Sequence, residues 1–198
     1  MTSPKRSGHP PLVSTDLPVE QLTQSAPVPL QERLRLAFAG LPGVQLGPSF
    51  VCVPGTRAGH LAPTVAHGPL EAFLAGTEFG HLHPPYDGSV HLMLPGPVAG
   101  RVVADGWGEP AQPPGSVLVY GPRDDEEAET VRELVLASYR FACGDGVPAP
   151  EGATAPDIAI TPDIAITPDI AITSDIVTTS DIADAPDGGD AARIVSAM

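Results

Sequence analysis

Basic residues, aromatic residues and cysteines are all scarce in this sequence. Ten Lys and Arg residues stand against 24 Asp and Glu residues, which gives a formal net charge of −14. Nucleic-acid phosphates need a positively charged face, so this composition argues against a nucleic-acid-binding protein. The two cysteines, Cys52 and Cys143, fit neither a disulfide framework nor a zinc motif, and we interpret them as buried thiols.

Long apolar stretches are missing as well. No window approaches the roughly eighteen apolar residues that a membrane-spanning helix needs. Lys5 and Arg6 are not followed by an apolar stretch of signal-peptide length. We therefore expect a cytoplasmic protein with no membrane span.

Proline is abundant instead, with 25 residues, many of them near the two ends of the chain. Residues 1–27 show no hydrophobic period and are predicted to be a disordered, proline-rich leader. Residues 147–198 contain the hexapeptide Pro-Asp-Ile-Ala-Ile-Thr, which recurs from Pro156 onward. A hexapeptide β-solenoid is one alternative for this repeat. Its few copies and its prolines favour a disordered acidic tail.

Residues 28–146 are predicted to form one α+β domain. Apolar residues at helical spacing indicate four helices, and β-branched or alternating runs indicate the strands. We expect an antiparallel sheet of about four to five strands, with about four helices packed mainly on one side. The predicted helices cover 29–40, 69–74, 97–104 and 124–144, and the predicted strands cover 44–53, 59–66, 79–83, 89–94 and 116–120.

A β-hairpin is the clearest local signal. Two alternating runs, 79–83 and 89–94, are separated by the turn residues 84–88. This loop places His81 opposite His91, with His83 two residues along the strand, while a slipped register would pair His83 with His91. The three imidazoles share one face in both registers. Glu78, three residues before His81, is expected on the opposite face.

Three histidines on one face of a sheet allow three interpretations. They could bind a metal ion, because two-residue spacing points two imidazoles the same way and the third lies across the ladder. They could act as general bases that remove the acidic proton of an enol, so that oxygen attacks the resulting carbanion. They could also be structural histidines in a half-buried sheet.

Two further side chains are open to a functional or a structural interpretation. Trp107 is either a core anchor or an aromatic wall for a flat ligand. Arg123 either clamps a carboxylate or enolate or forms a bridge to one of the neighbouring acids.

Four ordered motifs carry a family resemblance. They are residues 78–83, 87–92, 106–109 and 120–128, followed by the apolar stretch 131–139. As a set they resemble the luciferase-like domain of bioluminescent fungi and its bacterial relatives. The resemblance implies an enzyme that adds molecular oxygen to an activated hydroxypyrone without a separate organic cofactor, and we expect no metal. His81, His83 and His91 are our candidate catalytic residues, and Trp107, Tyr120 and Arg123 are our candidate substrate-binding residues.

Two departures from the family pattern suggest an alternative function. The fungal enzymes have an N-terminal membrane anchor, which residues 1–27 do not resemble. In the family a histidine usually follows the Gly-Trp-Gly motif, and Ala111 stands in that place here. The alternative is a non-catalytic interaction protein that keeps the fold and uses its acidic tail for contacts.

Overall fold

Helices and strands alternate along the chain in the computed structural model, which describes residues 4–145. The described residues contain three α-helices, one short 3₁₀-helix and six strands, so the predicted α+β class is confirmed, with one strand more than expected. The helices are α1 (Val28–Ala39), α2 (Gly96–Ala104) and α3 (Asp125–Cys143), with the 3₁₀-helix at Leu70–Ala72. The strands are β1 (Val44–Pro48), β2 (Arg57–Leu61), β3 (Glu78–Leu82), β4 (Val90–Met93), β5 (Gly108–Pro110) and β6 (Ser116–Val119).

The strands form one antiparallel sheet in the order β1-β2-β3-β4-β6-β5. Its helix face is hydrophobic, since Phe38 of α1 and Val131 and Val135 of α3 share one buried cluster with Leu92 of β4. Side chains alternate along a strand, so His91, next to Leu92, points to the opposite face. The sheet therefore separates the hydrophobic core from the histidines.

The hairpin of β3 and β4 has the first of the two predicted registers. His81 pairs with His91, and the His83 amide donates to the Ser89 carbonyl at 2.9 Å. Gly88 closes the turn with a φ of 72°, a left-handed conformation that glycine adopts without strain. The hairpin thus fixes the three histidines side by side.

Helix α3 begins where the sequence predicts. The Asp124 side chain accepts a hydrogen bond from the Glu127 amide at 2.9 Å, which caps the helix, and acids fill its first turn. Gly144 ends the helix in the left-handed conformation. Ser138, in the middle of α3, donates to the Phe79 carbonyl of β3 at 2.9 Å. The helix is therefore tied directly to the strand that carries His81.

Two short segments differ from the prediction. Residues 106–109 lie outside the predicted helices and strands, yet Gly108 begins the edge strand β5, which pairs with β6. A three-residue strand that ends in proline carries too little periodicity to be recognised. Residues 69–74 are predicted to be a helix but contain only the 3₁₀-helix Leu70–Ala72, and Leu70 is 92% exposed.

Residues 4–27 lie against the domain, so the prediction of a disordered leader is wrong for this part of the chain. The Arg6 guanidinium donates to Glu127 Oε2 at 3.1 Å and to the Gly121 carbonyl at 3.0 Å. The Gln21 amide donates to Asp87 Oδ2 at 2.9 Å. These anchors are single polar groups with distant partners, which hydrophobic periodicity cannot reveal.

The predicted acidic repeat tail, 147–198, and residue 146, the last of the predicted domain, lie outside the described residues. Within residues 4–145, no helix combines the length and the apolar character needed to cross a membrane.

Candidate functional site

The hairpin brings the three predicted histidines into contact on the face of the sheet opposite the helices. The ring centroids of His81 and His83 are 5.2 Å apart, with the rings stacked. His91 meets His81 edge-on at 4.9 Å and His83 at 6.4 Å. His81 is fully buried and His83 is 3% exposed. The three rings thus form one cluster, of which two members are buried.

Glu78 joins this cluster, so the prediction that it lies on the opposite face is wrong. The pairing of β2 with β3 shifts between Gly59 and His60, and the resulting bulge leaves Phe79 as an extra residue. Phe79 packs into the core against Phe38, and the bulge turns Glu78 to the histidine side. Glu78 Oε1 lies 2.6 Å from His81 Nδ1, and both side chains are fully buried.

Asp87 holds His83 in the same way that Glu78 holds His81. Asp87 Oδ2 lies 2.7 Å from His83 Nδ1, and Oδ1 accepts from the Ser89 amide at 2.8 Å. Burial opposes ionisation of Asp87, but the hydrogen bonds from His83 and Ser89 outweigh it and lower its pKa. Burial alone would lower the pKa of His83, but the hydrogen bond to Asp87 and the interaction with nearby Cys52 raise it to about 9.

Cys52 is the member of the cluster that the sequence did not reveal. Its Sγ atom and one ring nitrogen from each of His81 and His83 all lie within 4.8 Å of one another. Burial alone would raise the pKa of the Cys52 thiol, but its interaction with the neighbouring imidazoles of His81 and His83 lowers it to about 5. Both cysteines are free and only half-buried, where we had expected buried thiols. Cys52 lies in the loop after β1, where no motif or spacing links it to the hairpin.

His81 and His83 each have one ring nitrogen without a partner. His81 Nε2 and His83 Nε2 are buried and make no hydrogen bond within residues 4–145. Buried polar groups are nearly always hydrogen-bonded, and those that are not call for an explanation. From here on, the name histidine cluster is used for Glu78, His81, His83, Asp87 and Cys52, and it does not include His91.

His91 differs from the other two histidines because it opens on a cleft. Its Nε2 lies 2.8 Å from Ser116 Oγ, and the ring is half-buried. Burial and the neighbouring His81 and His83 lower its pKa to about 3. The cleft has a volume of about 280 Å³ and is lined by Leu17, Pro18, Val19, Val51, His91, Ala111, Gln112 and Leu118. The leader forms one wall, and Ala111 lies where the family resemblance implied a histidine.

Trp107, Tyr120 and Arg123 lie apart from this cleft, in contact with the leader. Trp107 packs in the hydrophobic core and donates to the Pro4 carbonyl at 2.7 Å. The Arg6 guanidinium lies over the Tyr120 ring, 5.3 Å from its centroid. Arg123 is paired with Glu127 and donates to the Ser7 carbonyl at 2.8 Å. Trp107 is therefore the core anchor of its two interpretations, Arg123 forms the bridge to a neighbouring acid, and all three side chains contact the leader.

Comparisons with known proteins give one match. Residues 76–138 match the family model described as Luciferase domain, which spans β3 to most of α3 and includes all three clustered histidines. This confirms the resemblance drawn from the sequence. No curated protein and no solved structure matches the chain.

Proposed function

We propose that this chain, which carries a luciferase-like domain, takes a small planar enol or phenol into the cleft at His91 and oxidises it with molecular oxygen. The observation that carries the proposal is an imidazole of the matched region that opens on a mostly apolar cleft. His81 and His83 are buried, whereas His91 is half-buried and is the histidine that lines this cleft.

The cleft suits a flat, single-ring compound. Its volume of about 280 Å³ is close to the small end of ligand pockets, about 300 Å³. Val51 and Leu118 offer apolar surface for a ring, while His91 and Gln112 offer polar groups at its edge. This mixture of apolar walls and few polar groups is typical of sites for small molecules.

The proposed reaction begins with transfer of the enol proton to the His91 imidazole. An acidic enol requires only a weak base. The enolate carbon then forms a bond to oxygen, and the proton returns to the terminal oxygen, which gives a hydroperoxide. Molecular oxygen supplies both oxygen atoms, and the substrate supplies the two electrons that reduce it.

Oxygen uptake by the full chain with a 4-hydroxy-2-pyrone tests this reaction. We expect uptake by the unchanged protein and a loss of about a hundredfold or more in His91→Ala, the usual contribution of a general base. His67→Ala is the matched control, because His67 lies outside the cleft and should leave uptake unchanged. Absence of both uptake and calorimetric binding would contradict the proposal. Calorimetry is preferred to tryptophan fluorescence because Trp107 lies in the core.

A second candidate function is binding without turnover. Ala111 lines the cleft at the position where the resemblance implies a histidine. If that imidazole is needed for the reaction, the chain binds the pyrone and takes up no oxygen. Ala111→His is then expected to gain uptake, whereas under the first proposal it should change uptake little. The alternative from the sequence, a non-catalytic interaction protein, requires contacts made by the acidic tail, and that tail lies outside the described residues.

A further inference from the structure

Three possible metal-ligand atoms converge beside the cleft. Cys52 Sγ and the ring nitrogens of His81 and His83 lie within 4.8 Å of one another. His81 Nε2 and His83 Nε2 are buried and have no hydrogen-bond partner in the described part of the chain. Leaving such atoms unpaired costs free energy. A bound group that accepts both lone pairs would remove this cost.

The carboxylates prepare both imidazoles for a metal ion. Glu78 Oε1 lies 2.6 Å from His81 Nδ1, and Asp87 Oδ2 lies 2.7 Å from His83 Nδ1. A carboxylate that accepts the Nδ1 proton leaves the Nε2 lone pair free for a ligand and fixes the ring orientation. This carboxylate–histidine arrangement is repeated on both imidazoles, and a carboxylate is one of the acceptors that metal-binding histidines use for their other ring nitrogen.

We propose that Cys52, His81 and His83 bind a divalent transition-metal ion, with Zn²⁺ as the reference ion. A thiolate and two imidazoles suit borderline-soft metals, and three protein ligands leave one coordination position open. Tetrahedral Zn²⁺ would place these atoms about 3.4 to 3.6 Å apart, so atoms that lie up to 4.8 Å apart need to move closer by at most about 1.4 Å. Cys52 is half-buried, which gives the ion access from solvent.

His91 is not a ligand in this arrangement. Its Nε2 lies 2.8 Å from Ser116 Oγ, and no carboxylate contacts its ring among the described residues. The sequence suggested a site of three histidines as one interpretation, and the loop cysteine takes the place of the third. The proposal goes beyond the proposed function, because metal binding can be measured whether or not the chain consumes oxygen.

Titration of the untagged full chain with Co²⁺, after removal of metals with a chelator, tests the site. We expect one Co²⁺ per chain with a thiolate-to-cobalt charge-transfer band, and displacement of the Co²⁺ by Zn²⁺. Cys52→Ser should abolish the band and lower affinity about a hundredfold or more. Cys143→Ser is the matched control, because Cys143 lies at the end of α3, and it should retain both the charge-transfer band and the Co²⁺ affinity. Glu78→Gln should lower affinity about 10- to 100-fold, as loss of an outer carboxylate does.

Alkylation of the cysteines provides a second measurement, which does not depend on the charge-transfer band. Iodoacetamide should modify Cys52 in the metal-free protein, and saturating Zn²⁺ should slow that modification at least tenfold while leaving Cys143 unaffected. The proposal is overturned if no stoichiometric metal binds, if the band persists in Cys52→Ser, or if Zn²⁺ gives no protection. Thermal melting of each metal-free variant checks that it is folded.

Discussion

Two clusters of buried polar side chains differ in how completely their atoms are paired. In the first, Arg6 and Arg123 surround Glu127, and both Glu127 oxygens accept hydrogen bonds from them. The Arg6 and Glu127 side chains are 3% and 8% exposed. We call these three residues the leader clamp. In the histidine cluster the carboxylates are also paired, but His81 Nε2 and His83 Nε2 are not.

The comparison separates stability from function. A fully paired cluster can be explained by what it holds in place, and the leader clamp holds residues 4–27 on the domain. A cluster with two converging, unpaired atoms has no such explanation, because those atoms reduce stability unless something binds them. Burial and charge are common to both clusters, so the unpaired atoms are the mark of a site.

The two clusters are connected through the leader. The segment that begins at Arg6 in the clamp also supplies Leu17, Pro18 and Val19 to the wall of the cleft. Substitutions in the leader clamp should therefore disturb the wall of the cleft. Substitutions in the histidine cluster should leave the leader bound to the domain. Stability measurements can separate these outcomes.

Removal of Glu127 is expected to have the largest effect on stability. Glu127→Ala leaves Arg6 buried without its partner, and breaking a buried ion pair in this way costs about 3–5 kcal/mol. Urea denaturation should show this loss in the free energy of unfolding. Glu129→Ala is the matched control on the same helix, because the pair of Glu129 with Arg132 is exposed and contributes little to stability. Equal losses in the two variants would refute the comparison.

The stability that Glu127 provides should also depend on pH. Burial opposes its ionisation, but hydrogen bonds from Arg123 and Arg6 outweigh this and lower its pKa. A lowered carboxylate pKa gives stability that is complete above the unfolded value, about 4.3, and is lost as pH falls through the folded value. The gap in unfolding free energy between the unchanged protein and Glu127→Gln should therefore shrink below about pH 4.3. A gap that is constant down to acid denaturation would contradict this.

Local sequence patterns predicted the elements that position the site. The alternation around the 84–88 turn gave the pairing of His81 with His91, and Asp124 and Gly144 marked the ends of α3. These features depend on neighbours in the sequence, so they can be recognised without tertiary structure.

Contacts between distant segments could not be predicted in the same way. Cys52 reaches the histidines from a loop with no motif, and Arg6 pairs with a residue 121 positions away. Glu78 reaches His81 only because a bulge breaks strand alternation. Each depends on tertiary packing, which single-sequence periodicity does not contain.

The bulge itself can be tested through Ser138. Its hydroxyl donates to the carbonyl of Phe79, the extra residue of the bulge. Ser138→Ala leaves this buried carbonyl without its donor, at a cost of about 1–3 kcal/mol. Because the bulge positions Glu78, Co²⁺ affinity should fall as well. The control is Thr130→Ala, since Thr130 is exposed and donates within α3 to Glu126. Unchanged stability in Ser138→Ala would show that the helix does not hold the bulge.

Replacement of Cys52 is expected to change the stability of the metal-free protein least of all. Cys52 is half-buried and in a loop, so Cys52→Ser should shift the free energy of unfolding by about 0.5 kcal/mol or less. Addition of Zn²⁺ should then raise the free energy of unfolding of the unchanged protein and not that of Cys52→Ser. A ligand present at a hundred times its dissociation constant stabilises the folded state by about 2.7 kcal/mol, and only the unchanged protein should gain this amount. If Cys52→Ser instead costs several kcal/mol without metal, the histidine cluster resembles the leader clamp, and its unpaired nitrogens do not mark a site.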